Sequence, residues 1–371
     1  MPSLDTAGPP HATTVLKIDL DALAANYRFL ADKVKPAQCA AVVKADGYGL
    51  GAGPVARTLQ AAGCERFFVA HLDEAIALRD TLGEGPEISV LNGVMPGTEK
   101  EFAAHTLIPV LNDLGQIDTW SAYCGEHAAA PATVHLDTGM SRLGLPPAEA
   151  DRLAAEPERL DGFPLHCVMS HLACADTPEH PLNRQQQQDF ASAIARLPQA
   201  TASLSASSGI FLGPDWHFDM VRPGVSLYGA APVPGEKNPM RPVVGVYGKV
   251  IQIRDVDAPQ TVGYGATHQF TGPARLATIA AGYADGYLRS LSGKAVAHIG
   301  DIPTPVVGRV SMDLITLDIS NAPDTRLGDE VELIGPHNDL DSVAAAAGTI
   351  GYEILTSLGR RYRRIYSGST A

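Results

Sequence analysis

The sequence predicts an α/β protein that combines a (β/α)8, TIM-like barrel with a mostly β C-terminal domain. Short apolar runs alternate with helical patterns through the first two-thirds of the chain, and eight such runs can be counted. Eight βα units in succession favour a closed parallel barrel over an open sheet. No G-x-G-x-x-G follows a strand, which weakens the alternative of a doubly wound sheet. Beyond Pro242, Gly, Pro and Asp turns separate strand-like runs, as in a β domain.

The elements follow in order from local patterns. Apolar residues at helical spacing between 23 and 34, after the cap residue Asp19 and before Pro36, predict the first helix. The predicted barrel strands are 40–43, 67–70, 88–91, 108–111, 133–136, 165–169, 201–205 and 218–221. The predicted elements of the second domain are strands at 243–253, 274–281, 295–299, 304–310, 315–319 and 330–334, and a helix at 341–350. A Pro- and Gly-rich stretch at 232–242 divides the chain into a barrel domain, 12–240, and a β domain, 241–371.

Composition and charge argue against several kinds of partner. A net charge of −13 opposes binding to the phosphates of nucleic acids. No apolar stretch has the length needed to span a bilayer, and the first residues lack a secretory signal, so we expect a cytoplasmic protein. The five cysteines form no C-x-x-C pair and are expected to be free thiols. No metal site is predicted.

The run AVVKADGYGLG, residues 41–51, carries the clearest chemical signal. Lys44 ends a buried strand, where partial desolvation lowers the pKa of an amine and frees its lone pair to attack a carbonyl. The glycines that follow let backbone N–H groups approach an anion, and Tyr48 adds a hydroxyl donor. An aldehyde cofactor with a phosphate group, namely pyridoxal phosphate, requires this combination. Composition alone would favour a surface lysine before an ordinary turn.

Other polar residues also follow predicted strands. They are Arg142 after the fifth strand, His171 after the sixth, Ser207 after the seventh and Arg222 after the eighth. The active sites of (β/α)8 barrels are built at the carboxyl ends of the strands. We therefore expect these side chains to lie at one rim of the barrel, together with Lys44. The four glutamines at 185–188 are interpreted as the exposed face of a helix.

Several motifs along nearly the whole chain resemble those of the alanine racemase family, in the order of that family. They are VKADGYGLG, LDTGMSRLG, MVRPG with the LYG that follows it, VGYGATH, AAGYADG, GRVSMD and GYE. One motif could arise by chance, but the ordered set identifies the chain as a member of the family. The resemblance implies a barrel with a β domain, pyridoxal phosphate as cofactor, and interconversion of L- and D-alanine.

The resemblance also implies the catalytic groups. Lys44 would hold pyridoxal phosphate as a Schiff base and act as one proton-transfer base, and Tyr264 would be the base on the opposite face of the substrate. Arg222 would pair with the pyridine nitrogen. Because arginine can only donate hydrogen bonds, that nitrogen should stay unprotonated. His171 would pack on the cofactor ring and bond to Arg222.

Binding roles are implied in the same way. The residues implied to hold the phosphate are Tyr48, Ser207, the backbone of Gly224 and Val225, and Tyr352. Arg142 and the backbone amide of Met312 would bind the substrate carboxylate. Tyr283 would line the entrance, and Asp313 would assist Tyr264. The roles of His166 and Asp137 stay open.

Three residues depart from the family pattern, and one of them is Ser311, which precedes Met312 where other members often have cysteine. Many members have a carbamylated lysine that orients the arginine, and here His135 stands at that position; Ala206 replaces the usual asparagine before the phosphate-binding serine. An imidazole cannot form the stable carbamate, so the partner of Arg142 must differ. The alternatives are a bound anion such as chloride, a carboxylate from the loop, or cofactor and backbone alone with His135 directed into the core.

Three other functions compete with an alanine-specific racemase. They are a racemase of broader specificity, a barrel-type pyridoxal phosphate decarboxylase, and a non-catalytic protein of pyridoxal phosphate homeostasis. Decarboxylases of this fold usually place a carboxylate at the pyridine nitrogen, so Arg222 argues against them. Homeostasis proteins resemble the barrel alone, so the β domain with Tyr264 argues against them. The resemblance further implies a head-to-tail homodimer with shared active sites, and a supply of D-alanine for the bacterial cell wall.

Overall fold

A closed parallel barrel and a mixed sheet organise the chain. The computed structural model describes residues 11–257 and 259–368. Its strands are β1 (Thr14–Asp19), β2 (Gln38–Cys39), β3 (Ala41–Val42), β4 (Arg66–Val69), β5 (Glu87–Val90), β6 (Ile108–Leu111), β7 (Ala132–His135), β8 (Leu165–Met169), β9 (Thr201–Ser203), β10 (Met220–Val221), β11 (Val244–Val256), β12 (Gln260–Val262), β13 (His268–Phe270), β14 (Ala274–Ile279), β15 (Val296–Ile299), β16 (Ile302–Pro305), β17 (Ile315–Asp318), β18 (Glu330–Ile334) and β19 (Arg363–Ser367). Its α-helices are α1 (Leu20–Lys33), α2 (Lys44–Tyr48), α3 (Ala52–Ala61), α4 (Leu72–Leu82), α5 (Glu99–Ala104), α6 (Leu114–Glu126), α7 (Pro147–Ala155), α8 (Pro181–Ile194), α9 (Leu340–Ala347) and α10 (Gly351–Ser357).

The barrel closes as the sequence predicts. Strands β3 to β9 pair in parallel in chain order, and β10 pairs in parallel with β2. Strands β2 and β3 are two halves of the first barrel strand. The amide of Asp219, next to β10, donates to the carbonyl of Ala202 in β9 at 3.0 Å, which joins the last two strands. Each of the eight predicted runs overlaps an observed strand, so the predicted fold class is confirmed.

Helix α1 illustrates how local patterning leads to packing. The side chain of Asp19 accepts a hydrogen bond from the amide of Ala22 at 2.9 Å and caps the helix. Leu23, Tyr27 and Leu30 lie on one face and are buried. A fully buried apolar side chain contributes ~1.5–3 kcal/mol, whereas a cap contributes ~1 kcal/mol. Burial of this face therefore holds α1 on the barrel, and the cap sets where the helix begins.

The mixed sheet is built around the long strand β11. It pairs antiparallel with β1, β14 and β18, and β1 also pairs in parallel with β19. Residues 14–19, which the sequence analysis assigns to the barrel domain, thus pair in the second sheet instead. Val15, Leu16 and Ile18 are buried there. Their apolar pattern marks a strand, but it cannot identify the partner of that strand.

The second domain departs from the sequence prediction in several elements. The predicted strand 304–310 is the shorter β16, followed by a loop. The hairpin of β12 and β13, helix α10 and strand β19 are not anticipated. Each strand of the hairpin has three residues, too few for an alternating pattern to show. Helix α10 begins at Gly351, a residue that disfavours helix.

Three predictions from the sequence bear on the compartment of the protein. Among residues 11–257 and 259–368, no helix has both the length and the apolar character required to cross a membrane. All five cysteines are free thiols, three of them buried. The prediction that the N-terminus lacks a secretory signal concerns residues that lie largely outside the described part.

Candidate active site at the barrel rim

Lys44 leaves the first barrel strand into α2, whose residues 45–47 form a left-handed turn and not a right-handed helix. Residues 45–48 have φ angles between 54° and 62°, and three of these four residues are not glycine. A non-glycine residue in this conformation costs ~1–2 kcal/mol. The turn is held in part by its own backbone, since the amide of Gly47 donates to the carbonyl of Val43 at 2.9 Å. It buries Tyr48 and leaves Lys44 half-buried at the rim.

The hydroxyls of Tyr48 and Ser207 meet the backbone at Gly224. Ser207 Oγ accepts from the amide of Gly224 at 3.0 Å, so its hydroxyl proton is directed elsewhere. A Cβ built on Gly224 would lie 2.2 Å from the hydroxyl of Tyr48, so the backbone approaches this closely only as glycine. Val225 follows in a short 3-10 helix. The ring of Tyr48 stacks on that of Tyr228 with centroids 4.5 Å apart, which fixes its direction.

The guanidinium of Arg222 is buried and is held by neutral acceptors. It donates to Ser203 Oγ, to the carbonyl of Ser170 at 2.6 Å and to that of Leu204 at 3.4 Å. Burial lowers the pKa of Arg222 to about 10, so the side chain stays a cation at neutral pH. In the part of the chain described here, no carboxylate pairs with it. The hydrogen bond to His171 that the resemblance implies is also not found among these residues.

The loop that carries His171 is fixed by a glutamine of α8. Gln186 is fully buried. Its Oε1 accepts from the amide of Ala173 at 2.8 Å, and its Nε2 donates to the carbonyl of His171 at 3.0 Å. The interpretation of 185–188 as only an exposed face is therefore wrong for this residue, because Gln186 lies on the buried side of the helix.

Asp137 shapes the loop that presents Arg142. Its Oδ1 accepts from the amides of Gly139 and Met140, each at 2.9 Å, and the amide of Ser141 lies 3.1 and 3.0 Å from its two oxygens. Ser141 has a φ of 56°, a conformation that such bonds stabilise. The carboxylate of Asp137 is thus used by the loop backbone. Arg142 extends from this loop and is exposed.

His135 is directed into the core, where it bonds to Asn112. Its Nδ1 lies 2.8 Å from Asn112 Oδ1. The amide nitrogen of Asn112 donates to the carbonyls of Leu91 and Val110 at 3.0 and 2.8 Å, so its oxygen is the acceptor and His135 Nδ1 carries the proton. Burial, followed by the charge of Arg222, lowers the pKa of His135 to about 4. Of the alternatives at this position, the structure shows the one in which the imidazole points inward.

These groups make one electropositive site that lowers the pKa values of the bases within it. Burial and then Arg142 lower the pKa of Lys44, while Glu74 opposes the shift. Burial, Arg222 and Arg142 lower the pKa of His171 to about 3. The lowered pKa of Lys44 agrees with the prediction from its position at the end of a strand. A site of this kind favours anionic ligands and leaves an amine lone pair available.

Four of the residues predicted on the second domain, Tyr264, Tyr283, Met312 and Asp313, do not meet the barrel rim within one chain. Tyr264 is 72% exposed, Met312 53% and Tyr283 42%. Asp313 is exposed as well. Within the described residues, no hydrogen bond, ion pair or ring contact joins Tyr264 to Lys44. The structure thus gathers the barrel residues and leaves this second group on the surface.

Backbone contacts hold together the two loops of this group that carry Tyr283 and Met312. The amides of Tyr283 and Ala284 donate to the carbonyls of Ser311 and Met312, both at 3.0 Å. A Cβ at position 282 would lie 2.3 Å from the Met312 carbonyl, so the two loops touch through backbone. Arg361 bonds to Asp313 at 2.6 Å, and also pairs with a buried carboxylate at position 285.

Tyr352 lies where the second domain faces the barrel rim. Its ring centroid is 6.1 Å from that of Tyr48, and burial, followed by Asp176, raises its pKa to about 12. It lines a cavity of about 760 Å³ between the barrel and helices α9 and α10, which His171 and Ala206 also line. Tyr352 therefore joins the barrel residues, as the resemblance implies.

His166 lies at the opposite end of the barrel. Its Nε2 is 3.0 Å from a carboxylate oxygen of Glu87, which also pairs with Arg66 at 2.8 Å. Burial alone would raise the pKa of Glu87, but its bonds to His166 and Arg66 lower it. This cluster lies at the amino ends of the strands, away from the rim that carries Lys44.

Sequence reasoning missed Asn112, Gln186 and Glu74. Asn112 directly follows the predicted strand 108–111, so the rule that found Arg142 and His171 also applies to it. Gln186 shares helical spacing with the buried Phe190. Glu74 occupies the third helical position of α4, where a capping carboxylate is common.

Comparison with known proteins gives one family throughout. The family profile described as alanine racemase, N-terminal domain, matches residues 18–232, and that of the C-terminal domain matches 243–366. An alanine racemase of Rhodospirillum rubrum is 50% identical over 361 residues, with 96% of each chain covered. A catabolic alanine racemase of Mesorhizobium japonicum is 51% identical over 96% of this chain and 94% of its own length. An alanine racemase crystal structure from Bartonella henselae, with covalently bound pyridoxal phosphate, aligns with a TM-score of 0.93 and 43% identity, covering 96% of this chain and 100% of that one.

Proposed function

The chain belongs to the alanine racemase family, and we propose that it interconverts L- and D-alanine by proton transfer at the α-carbon between two bases, Lys44 and Tyr264. Racemisation requires one base on each face of that carbon. The observation that carries the proposal is the half-buried amine of Lys44, whose pKa is lowered, with the hydroxyls of Tyr48 and Ser207 at the same rim.

The residues at the rim fit pyridoxal phosphate, the cofactor of this family. Bound pyridoxal phosphate supplies an aldehyde that an amine can attack and a ring that accepts electron density from the α-carbon. The hydroxyls of Tyr48 and Ser207 meet the backbone at Gly224, and hydroxyl and backbone N–H groups of this kind are those that bind a phosphate. We assign the phosphate to Tyr48, Ser207, the backbone of Gly224 and Val225, and Tyr352. His171 lies beside this group and would pack on the ring.

Arg222 would donate to the pyridine nitrogen. The carbonyl of Ser170 and the hydroxyl of Ser203 hold its guanidinium in one orientation, and its pKa of about 10 keeps it protonated. A donor at this position keeps the ring nitrogen unprotonated, so less negative charge moves into the ring. Side reactions that depend on a strong electron sink, such as transamination, should then be slow.

The substrate carboxylate would be bound by Arg142 and the backbone amide of Met312. Arg142 is exposed, and no carboxylate of the described residues pairs with it. Met312 lies on the loop that backbone bonds tie to Ala284. Asp313 is bonded to Arg361, so it would assist Tyr264 through the position of this loop. Tyr283 lies beside the loop of Met312 and would line the entrance to the active site.

We further propose a head-to-tail homodimer in which Tyr264 of one subunit completes the site of the other. The exposure of Tyr264, and of Tyr283 and Met312 on two loops joined by backbone hydrogen bonds, supports this arrangement, because each would be covered by a partner barrel. In such a dimer Tyr264 would lie near Lys44 of the partner subunit.

For the biological role, we propose a cytoplasmic enzyme that supplies D-alanine for the bacterial cell wall. A catabolic role is the alternative, since similar proteins include two named as catabolic alanine racemases. Complementation of a D-alanine-requiring strain would support the first role. Induction of the protein only during growth on alanine as a carbon source would contradict it.

The proposed activity is tested by a racemisation assay and by covalent labelling of the lysine. Purified protein is incubated with each of a panel of L-amino acids, and the optical rotation of the solution is followed. The rotation of the L-alanine solution should be lost. Equal rates of loss with amino acids of larger side chain would indicate a racemase of broad specificity. Borohydride reduction of the protein with its cofactor should attach pyridoxal phosphate to the peptide that contains Lys44. A label on any other lysine would overturn the mechanism, and the Lys44→Ala variant is the control.

A further inference from the structure

The carboxylate of Glu74 joins the ends of the first two barrel strands. Its Oε2 accepts from the amides of Ala70 and His71 at 2.9 and 3.1 Å, which caps helix α4. Its Oε1 accepts from the amide of Ala45 at 2.6 Å, a residue 29 positions earlier in the chain. A capping box requires only a bond to the cap residue's own amide. The bond to Ala45 is therefore an additional use of this side chain.

Ala45 is the first residue of the left-handed turn that follows Lys44. Its φ is 54° and its ψ is 48°, a conformation that costs an alanine ~1–2 kcal/mol. Among the described residues, the Ala45 amide takes part in no backbone–backbone hydrogen bond. Glu74 thus supplies the bond that holds the turn at the point where the Lys44 side chain leaves the strand.

Glu74 also supplies negative charge near the amine. The charged and titratable groups that act on Lys44 come from three elements: Arg142 after β7, His171 after β8, and Glu74 on α4. Arg142 and burial both favour the neutral amine, whereas Glu74 favours the ammonium. Among these neighbours, the carboxylate is the group that opposes the positive charges.

We propose that Glu74 is the positioning residue for Lys44, fixing the direction of the amine and balancing its charge. This inference rests on the proposed role of Lys44 and deepens it. For cofactor capture, the nitrogen of the unprotonated amine must attack the aldehyde carbon; a C–N bond forms and the carbonyl oxygen leaves as water. Glu74 would set both the aim of that nitrogen and the pH at which its lone pair is available.

The test compares Glu74→Gln with Asp73→Asn, which removes the same charge from an exposed neighbour in the same helical turn. Cofactor-free protein is mixed with pyridoxal phosphate, and the rate of covalent capture is measured from pH 6 to pH 10. Amide hydrogen exchange is followed in peptides covering residues 41–51 and helix α4. Borohydride labelling of wild-type protein is done first, so that failure of the proposed role of Lys44 is seen separately.

In Glu74→Gln, the pH of half-maximal capture should fall by about one unit, because a negative charge near the ammonium is lost. The limiting rate should fall about tenfold or more, because the turn is no longer held. Exchange at Ala45 should rise, and Asp73→Asn should match wild type in all three measurements.

If exchange rises only in α4 while the capture profile and the Ala45 amide match the control, Glu74 is only a cap and the inference is overturned. If Glu74→Gln is unfolded, the same measurements on Glu74→Asp decide, since the shorter side chain keeps the charge but cannot span both bonds; a wild-type profile there also overturns the inference.

Discussion

His135 shows how a single buried contact fixes a protonation state. Asn112 uses its nitrogen on two carbonyls, so only its oxygen is left for the imidazole. The ring therefore donates from Nδ1 and keeps a lone pair on Nε2. With its pKa lowered to about 4 by burial and by Arg222, His135 is neutral at the pH of a cell. It adds no charge at the position where the family resemblance implies a carbamylated lysine.

This neutral histidine predicts how stability depends on pH. Between about pH 4 and 6.5, the unfolded chain protonates His135 and the folded chain does not. The unfolded state thus binds more protons, and the free energy of unfolding should fall as pH falls, by up to ~1.4 kcal/mol per unit for each such histidine. Urea titrations from pH 7 to pH 4.5 measure the slope. His135→Asn should flatten it, and replacing the exposed His11 should not; equal slopes in all three proteins would contradict the prediction.

The same residue predicts indifference to carbon dioxide. A lysine amine can form a carbamate with it, but an imidazole held by Asn112 cannot form a stable one. Removal of bicarbonate from the assay should therefore leave racemase activity unchanged. The His135→Lys variant restores the residue typical of the family and should gain a dependence on bicarbonate. If the wild-type enzyme loses activity on removal, a carbamylated lysine elsewhere must contact Arg142.

At the scale of elements, the loops at the rim are held by side chains that the linear pattern does not single out. Gln186 of α8 bonds to both sides of the loop that carries His171. Asp137 fixes the loop that presents Arg142, and Glu74 fixes the turn after Lys44. In each case a buried or half-buried side chain satisfies backbone groups of an irregular segment, which would otherwise be costly to leave unpaired.

Gln186 can be tested against its neighbour in the glutamine run. Gln186→Leu should leave the Ala173 amide and the His171 carbonyl unpaired and destabilise the protein by ~2–3 kcal/mol. Because the loop carries His171, cofactor affinity should fall as well. Gln188→Leu, on the exposed side of α8, should change neither property. Thermal unfolding and equilibrium binding of pyridoxal phosphate measure the two effects, and equal behaviour of the two variants would show that the bonds of Gln186 do not matter.

What the sequence could predict depends on how local the signal is. The barrel strands were predictable because strands buried on both faces produce continuous apolar runs, and α1 because burial of one face produces a helical period in the sequence. The rim residues were predictable because strand ends converge in a barrel. The partner of β1 and the bonds of Asn112 depend on contacts between residues far apart in the chain, and no local pattern records them. The role of position 135 could be doubted from the sequence, but its bond to Asn112 could not be derived.

At the scale of the whole molecule, the active site is divided between two groups of residues. The barrel contributes Lys44 and Arg222, and the exposed loops contribute Tyr264 and Met312. In the proposed dimer, a mixture of Lys44→Ala and Tyr264→Phe subunits should regain activity, because one site of each mixed dimer is intact. Random exchange makes half of the dimers mixed, so about a quarter of wild-type activity is expected. Each variant alone should be inactive, and full activity of a demonstrated monomer would contradict the arrangement.

The place of β1 in the second sheet has a consequence during translation. This strand leaves the ribosome before its partners β11 and β19, which come more than two hundred residues later in the chain. At ~5–20 residues per second, an apolar strand edge waits on the order of ten to fifty seconds before it can pair. Throughout that interval the nascent barrel carries an unsatisfied strand that chaperones must shield. A message truncated after the barrel would leave it exposed permanently, so such fragments should aggregate rather than persist as a folded half-protein.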